Sequence, residues 1–342
     1  MRLRALVVAA ALALAGCGGG GGGSQAGGGG VLVGAGSTFV FPLVAKWIPD
    51  YSKSHGVTIT YGPIGSGGGI QQITNRTVDF GASDAPLSPD QQRACKGCVQ
   101  IPWALAGTSI PYNVPGAPQH LRLSGAVLAD IFLGKVKSWD DPAIAQLNPG
   151  VKLPQLDVTP IYRTDSSGTT YNFTDYLSQV SPEWKSKVGT GTSVNFSAGT
   201  GGKGSSGVAA ALSRAKGGIT YIDAAYSIEN GFAFAAQQNK AGKFVLPDRQ
   251  AVAAAAATIT TIPADNAVSI VDPPASAPTA YPLATFTYAI VPEKSAKADL
   301  LKPFLLYAIG PGQQFSAGLE FARLPAAILA ADRKTIARIT KG

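Results

Sequence analysis

Val31-Leu32-Val33-Gly34-Ala35-Gly36-Ser37-Thr38 reads as a short apolar strand running into a turn of small, donor-rich residues. Phe41 to Ser54 follows with helical spacing, with Leu43, Val44 and Trp47 on one side. The unit then recurs. Val57 to Tyr61 alternates like a strand, enters Gly65-Ser66-Gly67-Gly68-Gly69 and leads to a helix carrying Ile70 and Ile73. Val78-Asp79-Phe80-Gly81-Ala82-Ser83-Asp84 is a third strand, closing in a polar turn. Strand, Gly/Ser turn and helix in repetition predict α/β architecture, with ligand groups gathered at the carboxyl ends of the strands.

Outward from these units, 342 residues suffice for two lobes, each with its own core. Residues 31–113 together with 284–342 are expected to form one lobe and 114–283 the other. The second region holds the helical Leu123 to Leu133, the Trp139-Asp140-Asp141-Pro142 turn and an alanine-rich helix at Ala251 to Ala257. Asp272 to Tyr281 reads as a connection, Phe286 to Val291 as a strand, and Leu300 to Ile309 and Ala326 to Ile339 as closing helices.

Composition narrows the function. Charged residues make up 14% of the chain and the formal net charge is +8, spread out rather than clustered. No Lys/Arg run interleaves with aromatics, so no nucleic-acid partner is expected. The two histidines, His55 and His120, lie near no second metal ligand. No metal site, cofactor or histidine-based catalysis is therefore expected.

The N-terminus reads as a targeting segment. Arg2 and Arg4 precede an apolar stretch, Ala5 to Leu14, too short to span a bilayer. Leu14-Ala15-Gly16-Cys17 matches a bacterial lipobox. Residues 1–16 are thus expected to be a signal peptide, and Cys17 a lipidated first residue, palmitate included, that anchors the protein to the membrane. Residues 17–30, nearly all glycine, have the composition of a tether spanning roughly 20 Å. Outside the cytoplasmic membrane, Cys95 and Cys98 suit a small disulfide better than redox chemistry.

Arg163-Thr164-Asp165-Ser166-Ser167-Gly168-Thr169-Thr170 stands just ahead of another helical stretch. Such a segment either caps the helix or holds an anion at its N-terminus, where the dipole and free N–H groups favour negative charge. Arg163 adds a planar fork of donors, and Asp165 is placed to orient it. Three other turns, Gly36-Ser37-Thr38-Phe39, Gly65-Ser66-Gly67 and Ser83-Asp84, offer the same small donors. Asp84 stands apart, because a carboxylate repels an anion unless the anion brings a proton. Hydrogen phosphate brings one near neutral pH and sulfate does not, so Asp84 would select phosphate. The alternative role is a cap ahead of Pro86.

These turns resemble a family. The segments Gly34 to Phe39, Gly65 to Gly68, Val78 to Ser88 and Arg163 to Thr169 are similar to the phosphate-binding protein of the bacterial high-affinity phosphate ABC importer. So are Asp130 to Lys135, Trp139 to Pro142, Leu147 to Gly150 and Gly201 to Gly204, in consistent order from about Val33 to the C-terminus. The resemblance implies a two-lobed, periplasmic-binding-protein-like (type II) α/β fold with a hinge and an inter-lobe cleft. It implies phosphate contacts from Thr38, the Phe39 backbone, Ser66, Asp84, Arg163, Ser167, Gly168 and Thr169, with Asp165 positioning Arg163. Phosphate ABC permease subunits are the implied partners, outside the cytoplasmic membrane. Gly67, where serine is common, and the Cys95–Cys98 pair depart from the family pattern.

Two other readings compete. One is a binding protein for sulfate or molybdate, if Asp84 faces away. The other is a phosphate-ester hydrolase, which would want a metal cluster or an activated nucleophile. No G-x-S-x-G elbow occurs, and Gly199-Thr200-Gly201-Gly202-Lys203-Gly204 is a lone G-x-G-x-x-G match without the frame of a dinucleotide site. No enzymatic activity is expected.

Overall fold

The computed structural model describes residues 29–342. The expected signal peptide, Cys17 and most of the glycine tract lie outside the described residues.

Two sheets organise the chain. The first has six strands in the order Ile222–Asp223, Cys98–Ser109, Ala284–Pro292, Phe80–Ser83, Val31–Gly36, Thr58–Gly62. The second has five, in the order Ala233–Phe234, Pro111–Asn113, Gly218–Ile219, Thr159–Arg163, Thr200–Gly202. We call the bodies built on them the first and second lobes. A small three-stranded sheet, Phe244–Val245, Ala236–Gln238 and Arg122–Leu123, completes the second.

The opening units behave as their patterns predict. Val31–Gly36 pairs in parallel with both Thr58–Gly62 and Phe80–Ser83, so the three turns lie at one edge of the first sheet. The helix Phe41–His55 buries Leu43, Val44, Trp47 and Tyr51. Those positions recur every three to four residues and form one face. Gly56, at φ 66, ends this helix in the left-handed conformation, its N–H donating to the Ser52 carbonyl at 3.0 Å.

Of the central strands, Phe286 to Val291 falls where the sequence places it, within Ala284–Pro292, whereas Cys98–Ser109 escapes the reading. Both are buried at every position, because elements cover both faces of the sheet, and Cys98–Ser109 lacks the alternation that marks a half-exposed strand. It also contains Pro102, which lacks the N–H a ladder needs. A register shift accommodates it: Thr287 pairs with Ala104 and Tyr288 with Pro102, leaving Trp103 as the extra residue of a bulge.

The chain crosses between sheets at two neighbouring points. Ile110 separates Cys98–Ser109 from Pro111–Asn113, and Thr220-Tyr221 separate Gly218–Ile219 from Ile222–Asp223. The region 114–283 thus sends Ile222–Asp223 into the first sheet and packs its helix Arg249–Ala256 on that sheet. A disulfide joins Cys95 to Cys98 at the edge of the first lobe, and Arg76 donates to the Cys95 carbonyl at 2.7 Å. No described helix is long and apolar enough to cross a membrane.

Candidate functional site

The four donor-rich turns meet where the lobes face each other. Val31–Gly36 ends at Ser37-Thr38, Phe80–Ser83 at Asp84, and Thr159–Arg163 at Arg163 itself. The helices Ser66–Thr74 and Gly168–Val180 begin at the cleft, pointing their N-termini into it. Thr38, Ser66, Asp84, Arg163 and Thr169 are all at most 6% exposed. This much polar side chain is buried only where partners surround it.

From the second lobe comes charge in a fixed orientation. Arg163 Nε donates to Asp165 Oδ1 at 2.8 Å and Nη2 to Asp165 Oδ2 at 2.5 Å. The bidentate pair leaves Nη1, 3.5 Å from Thr169 Oγ1, on the cleft side. Burial alone would raise the Asp165 pKa, but the Arg163 bonds and charge and the Gly204 N–H outweigh it and hold the carboxyl below its ordinary value.

The first lobe supplies Asp84, which is 1% exposed. Ser37 donates to its Oδ1, while Thr169 and Ser66 donate to Oδ2 at 3.3 and 3.4 Å. Burial pushes its pKa up from 3.8 to about 6, although Ser37, the Arg163 charge, Thr169 and Ser66 each pull it down. Asp84 therefore faces the cleft and is an acceptor at neutral pH.

Direct contacts tie the lobes together around this point. The Gly168 N–H donates to Ser66 Oγ at 3.0 Å, and the Gly67 N–H to the Ser166 carbonyl at 2.9 Å. Asn172 donates to the Asp84 carbonyl at 2.7 Å, and the Ser205 N–H to Thr38 Oγ1 at 3.1 Å. Glycine is required here by space. A Cβ on Gly168 would stand 2.6 Å from the Asp84 nitrogen, and one on Gly67 2.2 Å from Ser166 Oγ. Gly67, the departure from the family pattern, thus leaves room for Ser166 of the opposite lobe.

Two expected ligands have local partners as well. The Phe39 N–H donates to Ser37 Oγ at 3.0 Å. Ser167 Oγ accepts from the Thr170 N–H at 3.2 Å, capping its helix, so in this arrangement its hydroxyl serves the cap. Sequence reasoning missed Ser37, Asn172 and Ser205. Of these, Ser37 alone lies in a quoted motif. Ser205 follows Lys203-Gly204 at the start of an unrecognised helix, Gly204–Arg214. His55 stacks on Tyr51 and His120 packs at a tilt against Phe234, away from the cleft residues. Among the described residues no cluster of metal ligands occurs.

Fold and site together define a two-lobed binding protein, with donors, an oriented arginine and one acceptor carboxylate converging between the lobes. The family model of the PBP superfamily domain matches residues 23–311. A phosphate-binding protein PstS of Xylella fastidiosa (strain Temecula1) is 40% identical over 85% of this chain and 81% of its own length. The PstS of Pasteurella multocida is likewise 40% identical, over 87% of each chain. Among solved structures, a high-affinity periplasmic phosphate-binding protein (PfluDING) bound with phosphate superimposes with a TM-score of 0.71. It is 20% identical, over 89% of this chain and 93% of that one, and so supports the fold alone. The chain belongs to the PBP superfamily and, within it, to the PstS family of phosphate-binding proteins.

Proposed function

We propose that this protein captures inorganic phosphate outside the cytoplasmic membrane and delivers it to an ABC permease. The observation that carries the reading is Asp84: a buried acceptor carboxylate, turned into a cleft otherwise furnished with donors. Hydrogen phosphate satisfies both kinds of group at once, receiving bonds from Arg163, Ser66, Thr38 and Thr169 and giving its proton to Asp84. Fully ionised sulfate leaves Asp84 facing another charge. The backbone N–H groups of Phe39, Gly168 and Thr169 and the Ser167 hydroxyl complete the cradle once the ligand replaces their present partners.

The remaining parts of the proposal concern setting. Closure of the two lobes about the Ile110 and Thr220-Tyr221 crossings would sequester the ligand and create the surface the permease recognises. Lipid on Cys17 would hold the protein at the membrane face, and the protein would act by binding, without catalysis. Isothermal titration of the purified protein with phosphate and with sulfate tests the central claim. Tight phosphate binding with no sulfate heat is expected, and the reverse preference would sink the reading. Metabolic labelling with palmitate should mark the wild-type chain and leave a Cys17→Ala variant unlabelled.

A further inference from the structure

The backbone of Arg163 is held by the crossing between the sheets. Strand Thr159–Arg163 pairs in parallel with Gly218–Ile219, with Thr159 opposite Gly218 and Pro160 opposite Ile219. The register ends there. Past Ile219 the neighbouring chain is no longer strand but the Thr220-Tyr221 crossing. The Thr159 N–H donates to the Gly217 carbonyl at 2.9 Å, so the backbone groups of Ile161 and Arg163, on the same alternation, face this side too. Side chains of the crossing take over from the missing ladder. Thr220 Oγ1 donates to the Ile161 carbonyl at 2.7 Å, and the Arg163 N–H donates to the Tyr221 hydroxyl oxygen at 3.1 Å.

Packing holds that hydroxyl still. Tyr221 is fully buried. Its ring stacks on Phe173 of the helix Gly168–Val180, with centroids 4.2 Å apart and planes 12° from parallel, and Phe132 packs against it at 6.0 Å. The hydroxyl also lies 2.8 Å from Thr170 Oγ1, in the first turn of the same helix. Because the phenol oxygen accepts from Arg163, its own proton is free for Thr170. Burial pushes the Tyr221 pKa up to about 12, against the pull of these bonds and of the Arg163 charge, so the hydroxyl keeps its proton at neutral pH.

One hydroxyl thereby joins the end of the strand that carries Arg163 to the start of the helix that carries Gly168 and Thr169. The Asp165 clasp works differently. It comes from the same turn as Arg163 and orients the guanidinium relative to that turn. The Tyr221 bonds place the turn itself relative to the helix N-terminus and the crossing.

We propose that Tyr221 is a positioning residue of the phosphate site: its hydroxyl, accepting from the Arg163 N–H and donating to Thr170, sets the spacing between the arginine and the helix N-terminus that grip the ligand together. The proposal rests on phosphate being that ligand. Without the hydroxyl, a buried N–H loses its acceptor, and the Arg163 turn shifts to find another.

Tyr221→Phe keeps the stacked ring and removes only the hydroxyl. Titration calorimetry with phosphate should give full stoichiometry and a Kd about tenfold weaker than wild type. A merely structural loss would instead lower the fraction of protein that binds and leave the Kd of the remainder unchanged. Thr170→Val, which cuts the other bond, should weaken phosphate about threefold, and the double variant should bind no more weakly than Tyr221→Phe alone. By heteronuclear NMR, hydrogen exchange at the Arg163 amide should be faster in Tyr221→Phe than in wild type. A wild-type Kd in Tyr221→Phe, with or without reduced stoichiometry, would overturn the assignment. So would an unchanged exchange rate at Arg163, or losses that add in the double variant. Wild-type protein that binds no phosphate would remove the proposed function itself, whereas a wild-type Kd in Tyr221→Phe would remove only this inference.

Discussion

The first lobe brings Asp84 to the cleft among hydroxyls, whereas the second brings Asp165 there already clasped by Arg163. Asp84 is fully buried and Asp165 only partly, and one has its pKa raised to about 6 while the other has its pKa lowered. The difference is burial and partner together. Hydroxyl donors recover only part of the solvation a carboxylate loses, and an adjacent guanidinium recovers more. The two halves of the site therefore divide the work. Under the proposed function Arg163, held by Asp165, would attract oxyanions in general, and Asp84, partnered by hydroxyls alone, would distinguish among them by the proton they carry.

The most damaging way to break this division is to remove the cation. Arg163→Ala would leave the partly buried Asp165 carboxylate with the Gly204 N–H but no cation, and would deprive the ligand of its charged contact. Phosphate affinity should fall by about two to three orders of magnitude, and folding stability by about 3–5 kcal/mol. Titration calorimetry and urea unfolding read the two effects separately. Stability unchanged within 1 kcal/mol would show that the Arg163–Asp165 pair is less buried in solution than it is here.

A smaller effect comes from keeping both halves and preventing their meeting. Gly168→Ala places a methyl 2.6 Å from the Asp84 nitrogen across the cleft. Because that clash exists only with the lobes together, the cost falls on closure, weakening phosphate binding by about ten- to a hundredfold. Thermal stability of the ligand-free protein should hardly change. Small-angle scattering should show less compaction on adding phosphate than in wild type. Wild-type affinity in this variant would mean that the lobes need not approach this closely to hold the ligand.

The sequence was most legible where a residue's role is local. The strand-turn-helix units of the first lobe, the helix faces and the Arg163–Asp165 pairing follow from periodicity and from groups two residues apart. Asp84 and Arg163 are 79 positions apart in the chain, and their meeting was suggested by the like chemistry of four strand-end turns, with the resemblance in support, rather than by any local pattern. Cys98–Ser109 lacked the alternation that announces a strand because both its faces are covered. Ser205 was illegible for a related reason. It matters only through Thr38, a neighbour brought by the fold.

The finest test converts Asp84 to its neutral isostere. Its pKa is raised on folding, from 3.8 to about 6, so the folded state holds the proton more tightly than the unfolded chain does. The sign follows: the stability contribution is complete below pH 3.8 and is lost as pH rises toward 6. At neutral pH the ionised group then costs up to about 3 kcal/mol, from roughly 1.4 kcal/mol per unit. Asp84→Asn should therefore stabilise the ligand-free protein, by more at pH 8 than at pH 5. The same change should weaken phosphate about tenfold and let sulfate bind, because the amide can donate where the carboxylate only accepted. A variant less stable at pH 8 than wild type would mean that the hydroxyls around Asp84 satisfy its charge after all. Stabilisation with phosphate selectivity intact would move discrimination away from Asp84 and onto the second lobe, where Arg163 would be the charged donor to the ligand.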